Sequence, residues 1–316
     1  MSTSRHHHYL SQCYLKGFTK GNAKDSKLTV FDLKTMKKFE TKPRNVGGMR
    51  DFNRVDIPGI DPEIVEKQQS EFEGKVATAL KRIEKTLDFS GDTKNLILEL
   101  IGMLAIKSPE MRKHIAEPQI EIAKRIMAMS LDTKERWEAQ IARILEETGE
   151  DISQGKTYEE MKEFFDSKEY NVEVTREHQI HMELIGMQHI TELLHFRNWV
   201  LLKAGEDAGE FITTDNPVSL TWTEPKKVPG FVSPGFGLRD TMVYFPVTKN
   251  LALVGEFDIK DETRIASREL VAILNRKIID NSYQRVISSK SNFNFLSNEG
   301  KIEPGNNLLL QAKQSI

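Results

Sequence analysis

The stretch LILELIGMLAI, residues 96–106, carries a single charged residue, Glu99, among apolar ones. A helix that is apolar on all sides is buried rather than laid on a surface. The stretch is too short to cross a bilayer, so it is not a membrane span. It therefore predicts the central helix of a helical core, and we expect the helices that pack around it on either side in the sequence.

Helix signals occur on both sides of this stretch. Asp61 and Pro62 form an N-cap followed by a first-turn proline, and apolar residues then recur on one face as far as residue 83. Pro109 marks the start of the next helix, and Thr157 with Glu160 has the spacing of a capping box. No heptad repeat persists, so we expect a packed helical bundle rather than a coiled coil.

The two ends of the chain have the alternation that is typical of strands. KLTVFDLKTMKKFET, residues 27–41, predicts a β-hairpin, and Gly47 and Gly48 predict a sharp turn that presents an Arg-Asp-Phe loop. Beyond residue 168, we expect strands at 170–174, 199–203, 210–213, 242–245, 251–254 and 285–288, with helices at 175–196 and 264–282.

These elements predict an α+β fold with an N-terminal β-hairpin, a central helical bundle and a C-terminal mixed or antiparallel sheet. We expect a single domain over residues 1–316. Its subregions would be 1–56 with the turn, hairpin and loop, 57–167 with the helices, and 168–316 with the mixed region.

Composition indicates a globular protein that needs neither a disulfide nor a metal to fold. Of its 316 residues, 38% are hydrophobic and 29% are charged. The single cysteine, Cys13, and the lack of a secretory signal predict a cytoplasmic protein without a membrane partner. Because Cys13 lies between aromatic and apolar residues, we interpret it as a small buried side chain rather than as a nucleophile.

Charge is distributed unevenly along the chain. The net charge is only −2, but residues 1–50 contain eleven lysines and arginines and three acidic residues, which gives this segment a charge of +8. Such asymmetry indicates an anionic partner, and we expect the basic residues between positions 5 and 50 to bind nucleic acid or another anionic ligand. The alternative is that these lysines only keep an exposed hairpin in solution.

Seven of the eight histidines occur in two clusters. HHHYLSQCYLKGF, residues 6–18, continues directly into apolar residues at helical spacing, so its histidines are native sequence rather than a purification tag. The predicted helix at 175–196 contains four more, at positions 178, 181, 189 and 195. Glu192 and His195 have the Glu-x-x-His spacing of di-iron bundles, which is a weak signal because no second motif accompanies it.

FITTDNPV, residues 211–218, places Asp215 and Asn216 at the end of an apolar strand, where Pro217 enforces a turn. Polar side chains at a strand end are well placed for binding or catalysis. They can equally satisfy the backbone groups of the turn itself.

Several segments, taken together, resemble a bacterial family catalogued as a domain of unknown function, number four-two-three-eight. The pattern usually has proline where this chain has Ser11, and commonly tyrosine where it has Asn53. The resemblance implies native histidines at positions 7 and 8 and supplies no activity. The matching segments lie at residues 7–18, 27–52, 71–80, 211–218, 244–255 and 275–288.

The polar residues at these landmarks suggest two functions. The first is a metal-dependent hydrolase that cleaves nucleic acid or another phosphodiester with Mg²⁺ or Mn²⁺. The alternative is a non-catalytic module that binds nucleic acid or protein, in which the polar cluster is structural. For the hydrolase, we expect His8, Asp51 and Asp215 as catalytic residues and metal ligands, and Gln12, Arg50 and Asn216 as substrate-binding residues.

Overall fold

The structure is a computed structural model, and it describes residues 5–224, 230 and 232–314 of the chain. Within these residues, none of the helices combines the length and the apolar character that crossing a bilayer requires. The helices are α1 (Gln12–Leu15), α2 (Ile64–Thr86), α3 (Gly91–Ile106), α4 (Pro109–Ser130), α5 (Lys134–Thr148), α6 (Tyr158–Ser167), α7 (Arg176–His195), α8 (Arg268–Asp280) and α9 (Leu308–Gln314).

The strands form two main sheets and two short pairs. The strands are β1 (His6–His8), β2 (Leu28–Asp32), β3 (Lys37–Thr41), β4 (Gly48–Arg50), β5 (Asn198–Ala204), β6 (Thr213–Thr214), β7 (Ser219–Trp222), β8 (Thr241–Thr248), β9 (Leu251–Glu256), β10 (Glu262–Ala266), β11 (Arg285–Ser288), β12 (Asn294–Leu296) and β13 (Ile302–Pro304). One sheet has the order β10-β5-β9-β8-β7 and the other β3-β2-β11-β6, and only β10 and β5 run parallel among the described strands. This confirms the α+β class and the mixed C-terminal sheet.

The chain divides into two compact units. Glu110–Gln179 forms the smaller unit, and the rest of the described chain forms the larger one. The sequence predicts a single domain with one helical subregion over 57–167, but the structure groups the helices differently. Helices α2 and α3 share a core with the sheets, because their apolar faces pack in one cluster with Leu201 and Phe245.

Helix α3 contains the stretch LILELIGMLAI and is buried on most of its surface, as predicted. Ile97, Leu98, Leu100 and Ile101 are all fully buried in the core of the larger unit. Gly102 permits the close approach of α7, because a Cβ at this position would meet the Thr191 side chain and would lie 3.0 Å from the Met187 carbonyl oxygen.

Tyr14 of α1 joins the amino-terminal segment to both sheets. Its buried hydroxyl lies 2.6 Å from Thr213 Oγ1 of β6 and donates to the Pro246 carbonyl of β8 at 2.8 Å. Its ring stacks on Phe245 with the centroids 5.2 Å apart. Because the hydroxyl is buried with both partners in place, the contact fixes α1 against two separate sheets.

The predicted hairpin is formed by β2 and β3. Every residue of β2 is buried, whereas β3 forms the outer edge of its sheet and its residues Lys37–Glu40 are exposed. β2 is covered because it lies between β3 and β11, where Val286 pairs with Phe31. The lysines of the hairpin therefore lie on an accessible sheet edge.

The smaller unit contains α5 and α6 and all of α4 except its first residue. The capping box at α6 is confirmed: Thr157 accepts from the Glu160 N–H, and the Glu160 carboxylate accepts from the Thr157 N–H. The strand predicted at 170–174 is wrong, because this segment is irregular and Tyr170 stacks on Phe165 of α6. Its alternating pattern reflects packing against a helix rather than pairing in a sheet.

Most other boundaries lie within a few residues of the prediction. Strand β11 occupies the predicted residues, and α7 begins and ends one residue inside the predicted range. Helix α2 starts later than expected, because the Asp61 carboxylate accepts the Glu63 N–H before the helix begins. The predicted helix at 264–282 begins only at Arg268, after Ser267 caps it and β10 ends.

We expect the substitution Ile101→Ala to lower the free energy of unfolding by about 2–5 kcal/mol, because it leaves a cavity in the buried face of α3. The matched control is Ile273→Ala on α8, where the isoleucine is 40% exposed, compared with 0% for Ile101. Urea unfolding followed by circular dichroism measures both. Equal losses in the two variants would contradict the central position of α3.

Candidate functional site

Asp215 is buried at the end of β6, where it binds backbone groups. Its Oδ1 accepts from the Tyr283 N–H at 3.0 Å, and its Oδ2 accepts from the Gln284 and Arg285 N–H groups at 2.8 and 2.9 Å. The Asp215 N–H in turn donates to the Arg285 carbonyl at 3.1 Å. The carboxylate therefore joins β6 to the start of β11, and this geometry favours the structural alternative for Asp215 over metal ligation.

Asn216 makes a reciprocal pair with Asn281 in the same corner. The Asn216 side-chain amide donates to the Asn281 carbonyl at 2.9 Å, and the Asn281 amide donates to the Asn216 carbonyl at 2.8 Å and the Val218 carbonyl at 3.0 Å. The side-chain amide of Asn216, predicted to bind substrate, therefore holds the end of α8 against the turn.

Asp51 lies next to two arginines instead of a second carboxylate. It occupies the left-handed region with φ 55°, and the Arg5 guanidinium donates to both of its oxygens, with Nε at 2.8 Å. Arg50 Nε lies 3.5 Å away, on a side chain that is 72% exposed. The hydrogen bond from Arg5 lowers the pKa of Asp51, so this carboxylate is paired and ionised at neutral pH.

The amino-terminal histidines form β1 and pair with β4. His8 Nε2 lies 3.1 Å from the Arg44 carbonyl oxygen, which identifies Nε2 as the protonated nitrogen, and Gln12 Nε2 lies 3.5 Å from His8 Nδ1. Burial lowers the pKa of His8, so the ring is neutral at pH 7. His8 and Gln12 are therefore neighbours, and His8 also contacts the protein backbone.

His7 is fully buried, and its Nδ1 accepts a hydrogen bond from the Asn53 N–H at 2.9 Å. Its Nε2 lies 3.0 Å from Glu63 Oε2, an ion-pair distance without the alignment of a hydrogen bond. His7 and His8 are both buried, which supports the interpretation of these positions as native sequence rather than as a tag. Cys13 is also buried, which raises its pKa to about 11 and makes it a poor nucleophile, as expected.

The predicted metal site is not assembled. Within the described residues, no group of three or more His, Cys, Asp or Glu side chains is placed to hold a metal ion. Each of the three expected ligands contacts a different protein group: His8 the Arg44 carbonyl, Asp51 the Arg5 guanidinium, and Asp215 backbone N–H groups. The helical di-metal alternative also lacks its geometry, because the histidines at positions 178, 181, 189 and 195 are all exposed.

A different set of polar residues does come together, around Gln69 of α2. Asn53 donates to Gln69 Oε1 at 3.0 Å and to Glu66 Oε2 at 2.6 Å, and Lys107 also donates to Gln69 Oε1. The Gln69 amide donates to the His8 carbonyl and to Glu73 Oε1, each at 3.0 Å. This Gln69 network connects β1, the loop after β4, α2 and the end of α3.

The sequence contains partial signals for the Gln69 network. Asn53 stands where the related pattern commonly has tyrosine, and Gln69 interrupts the buried face of α2. Lys107 ends the apolar run of α3 and is buried. These signals do not show that the three side chains meet, because they belong to different elements of the chain.

We expect Asp215→Ala to lower the free energy of unfolding by about 3 kcal/mol, because three partly buried backbone donors lose their acceptor. The control is Asp258→Ala, whose side chain is 71% exposed and should change stability by less than about 0.5 kcal/mol. Thermal and urea unfolding measure both. An unchanged stability for Asp215→Ala would restore this carboxylate as a candidate functional group.

The lowered pKa of His8 predicts a loss of stability in acid. The folded-state pKa lies below the ordinary 6.5, so between the two values the unfolded chain binds the proton and the folded one does not. Stability is therefore complete above the unfolded value and falls as pH decreases through it. We expect His8→Gln to reduce the difference in unfolding free energy between about pH 7.5 and about pH 5.5. His189→Gln on the exposed face of α7 should leave that difference unchanged.

Comparison with known proteins identifies a family and no activity. Neither the curated proteins nor the solved structures contain a match to the chain. A family model described as "Protein of unknown function (DUF4238)" matches residues 6–292, from the first histidine of β1 to beyond β11. The match covers most of the chain, and it confirms the resemblance drawn from the sequence landmarks. The chain therefore belongs to the DUF4238 family of proteins of unknown function.

Proposed function

We propose that this protein is a non-catalytic module that binds single-stranded nucleic acid through its basic amino-terminal hairpin. The observation that carries the proposal is the outer strand β3, which exposes Lys37, Lys38 and Phe39 together on a sheet edge. Lysines attract the phosphate backbone, and an exposed aromatic ring provides a surface on which a base can stack. Phe39 is 41% exposed, which leaves its ring available for such a contact.

The charge around β3 supports an anionic partner. Lys24, Lys27 and Lys34 are also exposed on the hairpin and its flanking turn. The nearby ion pairs Lys20–Glu40 and Lys42–Asp25 are at the surface, where such pairs contribute little and exchange readily for a phosphate contact. The segment thus keeps most of its excess positive charge accessible.

The polar residues of the landmarks support binding rather than cleavage. The Asp215 carboxylate is engaged by three backbone donors, and Asp51 is paired with Arg5. In this arrangement Asp215 joins β6 to the start of β11, and Asp51 joins the loop after β4 to the residue before β1. A metal-dependent phosphodiesterase is the competing function, and it would cleave an oligonucleotide rather than only bind it. A cytoplasmic location is part of the same proposal, since the partner is nucleic acid and Cys13 is a free thiol.

We expect the protein to bind a fluorescein-labelled single-stranded oligonucleotide, with an affinity that falls as salt concentration rises. Replacing Lys34, Lys37 and Lys38 by glutamine should reduce the slope of log affinity against log salt by about two to three, one for each phosphate contact. Phe39→Ala should weaken binding by about 1–3 kcal/mol and leave the slope unchanged, because stacking involves no counterion release. Fluorescence anisotropy measures both effects.

The control replaces three exposed cations outside the hairpin, Arg239, Lys260 and Arg268, by glutamine. It changes the net charge by the same amount and should bind as the native protein does. Equal weakening by both triple variants would mean that the hairpin has no special role. Shortening of the oligonucleotide in the presence of Mg²⁺ or Mn²⁺ would instead support the phosphodiesterase.

A further inference from the structure

A cavity of about 240 Å³ lies between α2, α3 and α7 in the larger unit. Its apolar wall consists of Val65, Phe72, Met103, Ile106, Ile180 and Met187. A dry cavity of about 150 Å³ lined by similar residues accepts benzene, so this volume is sufficient for one aromatic ring or a short alkyl chain. The two methionines add a lining that adapts to the shape of a ligand.

The cavity is accessible from solvent. Leu184 and Gln68, which also line it, are both exposed at the surface. A small compound can therefore enter without unfolding of the helices around it.

The cavity lining contains two acidic side chains and one basic side chain, and the basic one already has a protein partner. Glu99, Glu183 and Lys107 give the cavity a net charge of −1. The Lys107 amine donates to Gln69 Oε1, and the Gln69 amide is itself used by the His8 carbonyl and by Glu73. The positive group of the wall is thus already engaged by the protein.

Glu99 differs from the other charged groups of the wall. It is the charged residue that interrupts the apolar stretch at 96–106, and its side chain is only partly exposed. The Glu99 carboxylate makes no hydrogen bond or ion pair with any other residue that the structure describes. A partly buried carboxylate beside an apolar wall is complemented by a cation that carries apolar groups.

We propose that this cavity binds a small primary amine with an aromatic or alkyl group. The ammonium group would bind the Glu99 carboxylate, and the apolar part would pack against Phe72, Met103 and Met187. This site is separate from the hairpin and does not depend on nucleic-acid binding. It also gives a physical reason for a carboxylate within the otherwise apolar stretch at residues 96–106.

The test compares three probes that share a six-carbon alkyl group and differ in the polar end: n-hexylamine, 1-hexanol and hexanoate. Ligand-observed NMR against the full-length protein gives their dissociation constants, which for compounds of this size should lie between about micromolar and millimolar. We expect the amine to bind at least about tenfold more tightly than the alcohol, the difference that one charge-assisted hydrogen bond provides. Hexanoate should bind more weakly than the alcohol, because the cavity is negative.

Two variants locate the binding in the cavity. Glu99→Gln should reduce amine affinity to the level of the alcohol and leave alcohol binding unchanged. Met187→Trp should block both ligands by filling the cavity, and a circular dichroism melt establishes that it is folded. The matched control, Glu71→Gln, removes an exposed carboxylate of α2 and should bind the amine as the native protein does.

The proposal is overturned if the amine binds no better than the alcohol, or if Glu99→Gln retains full amine affinity. It is also overturned if the folded Met187→Trp variant binds both probes normally, because the ligand would then lie elsewhere. Loss of amine binding in Glu71→Gln to the same extent as in Glu99→Gln would indicate a general charge effect rather than this site.

Discussion

The hydroxyl of Tyr14 is the contact on which the larger unit depends. It joins Thr213 of one sheet and the Pro246 carbonyl of the other, across 199 and 232 residues of chain. Because the hydroxyl is fully buried, it has no water to replace either partner, and loss of the contact would leave polar groups unsatisfied in the core. The amino-terminal segment is therefore an internal part of the fold and not an appendage.

The landmark residues on either side of Tyr14 in the sequence contact other protein groups. Thr213 belongs to the same strand that delivers Asp215, and the Asp215 carboxylate then binds the backbone at the start of β11. On the other side of Tyr14, His7 and His8 pair with the strand before Asp51. Polar residues at such positions hold elements together, whereas the surface of the hairpin and the helical cavity are accessible from solvent.

The Gln69 network and the adjacent cavity share one wall. Lys107 belongs to both. Because its ammonium group donates to Gln69 Oε1, its positive charge is used within the network rather than offered to a ligand in the cavity. Glu99 is then left facing an apolar wall with no protein partner among the described residues. The same contact thus stabilises the junction of β1 with α2 and determines which ligand charge the cavity complements.

The sequence by itself determined the elements whose signals are local. The capping box at Thr157, the long helix α7, strand β11 and the buried helix α3 all follow from spacing within a few residues, and they occur where the pattern predicts. Tyr170 shows the limit of such signals, because alternation cannot distinguish a strand from a loop packed on a helix. Only the tertiary structure decided that Asp215 holds backbone donors, that Asp51 pairs with Arg5 and that Asn53, Gln69 and Lys107 meet. The physical reason is that a buried polar side chain must find hydrogen-bond partners, and these partners determine its role. The partners lie far away along the chain, so local sequence patterns do not reveal them.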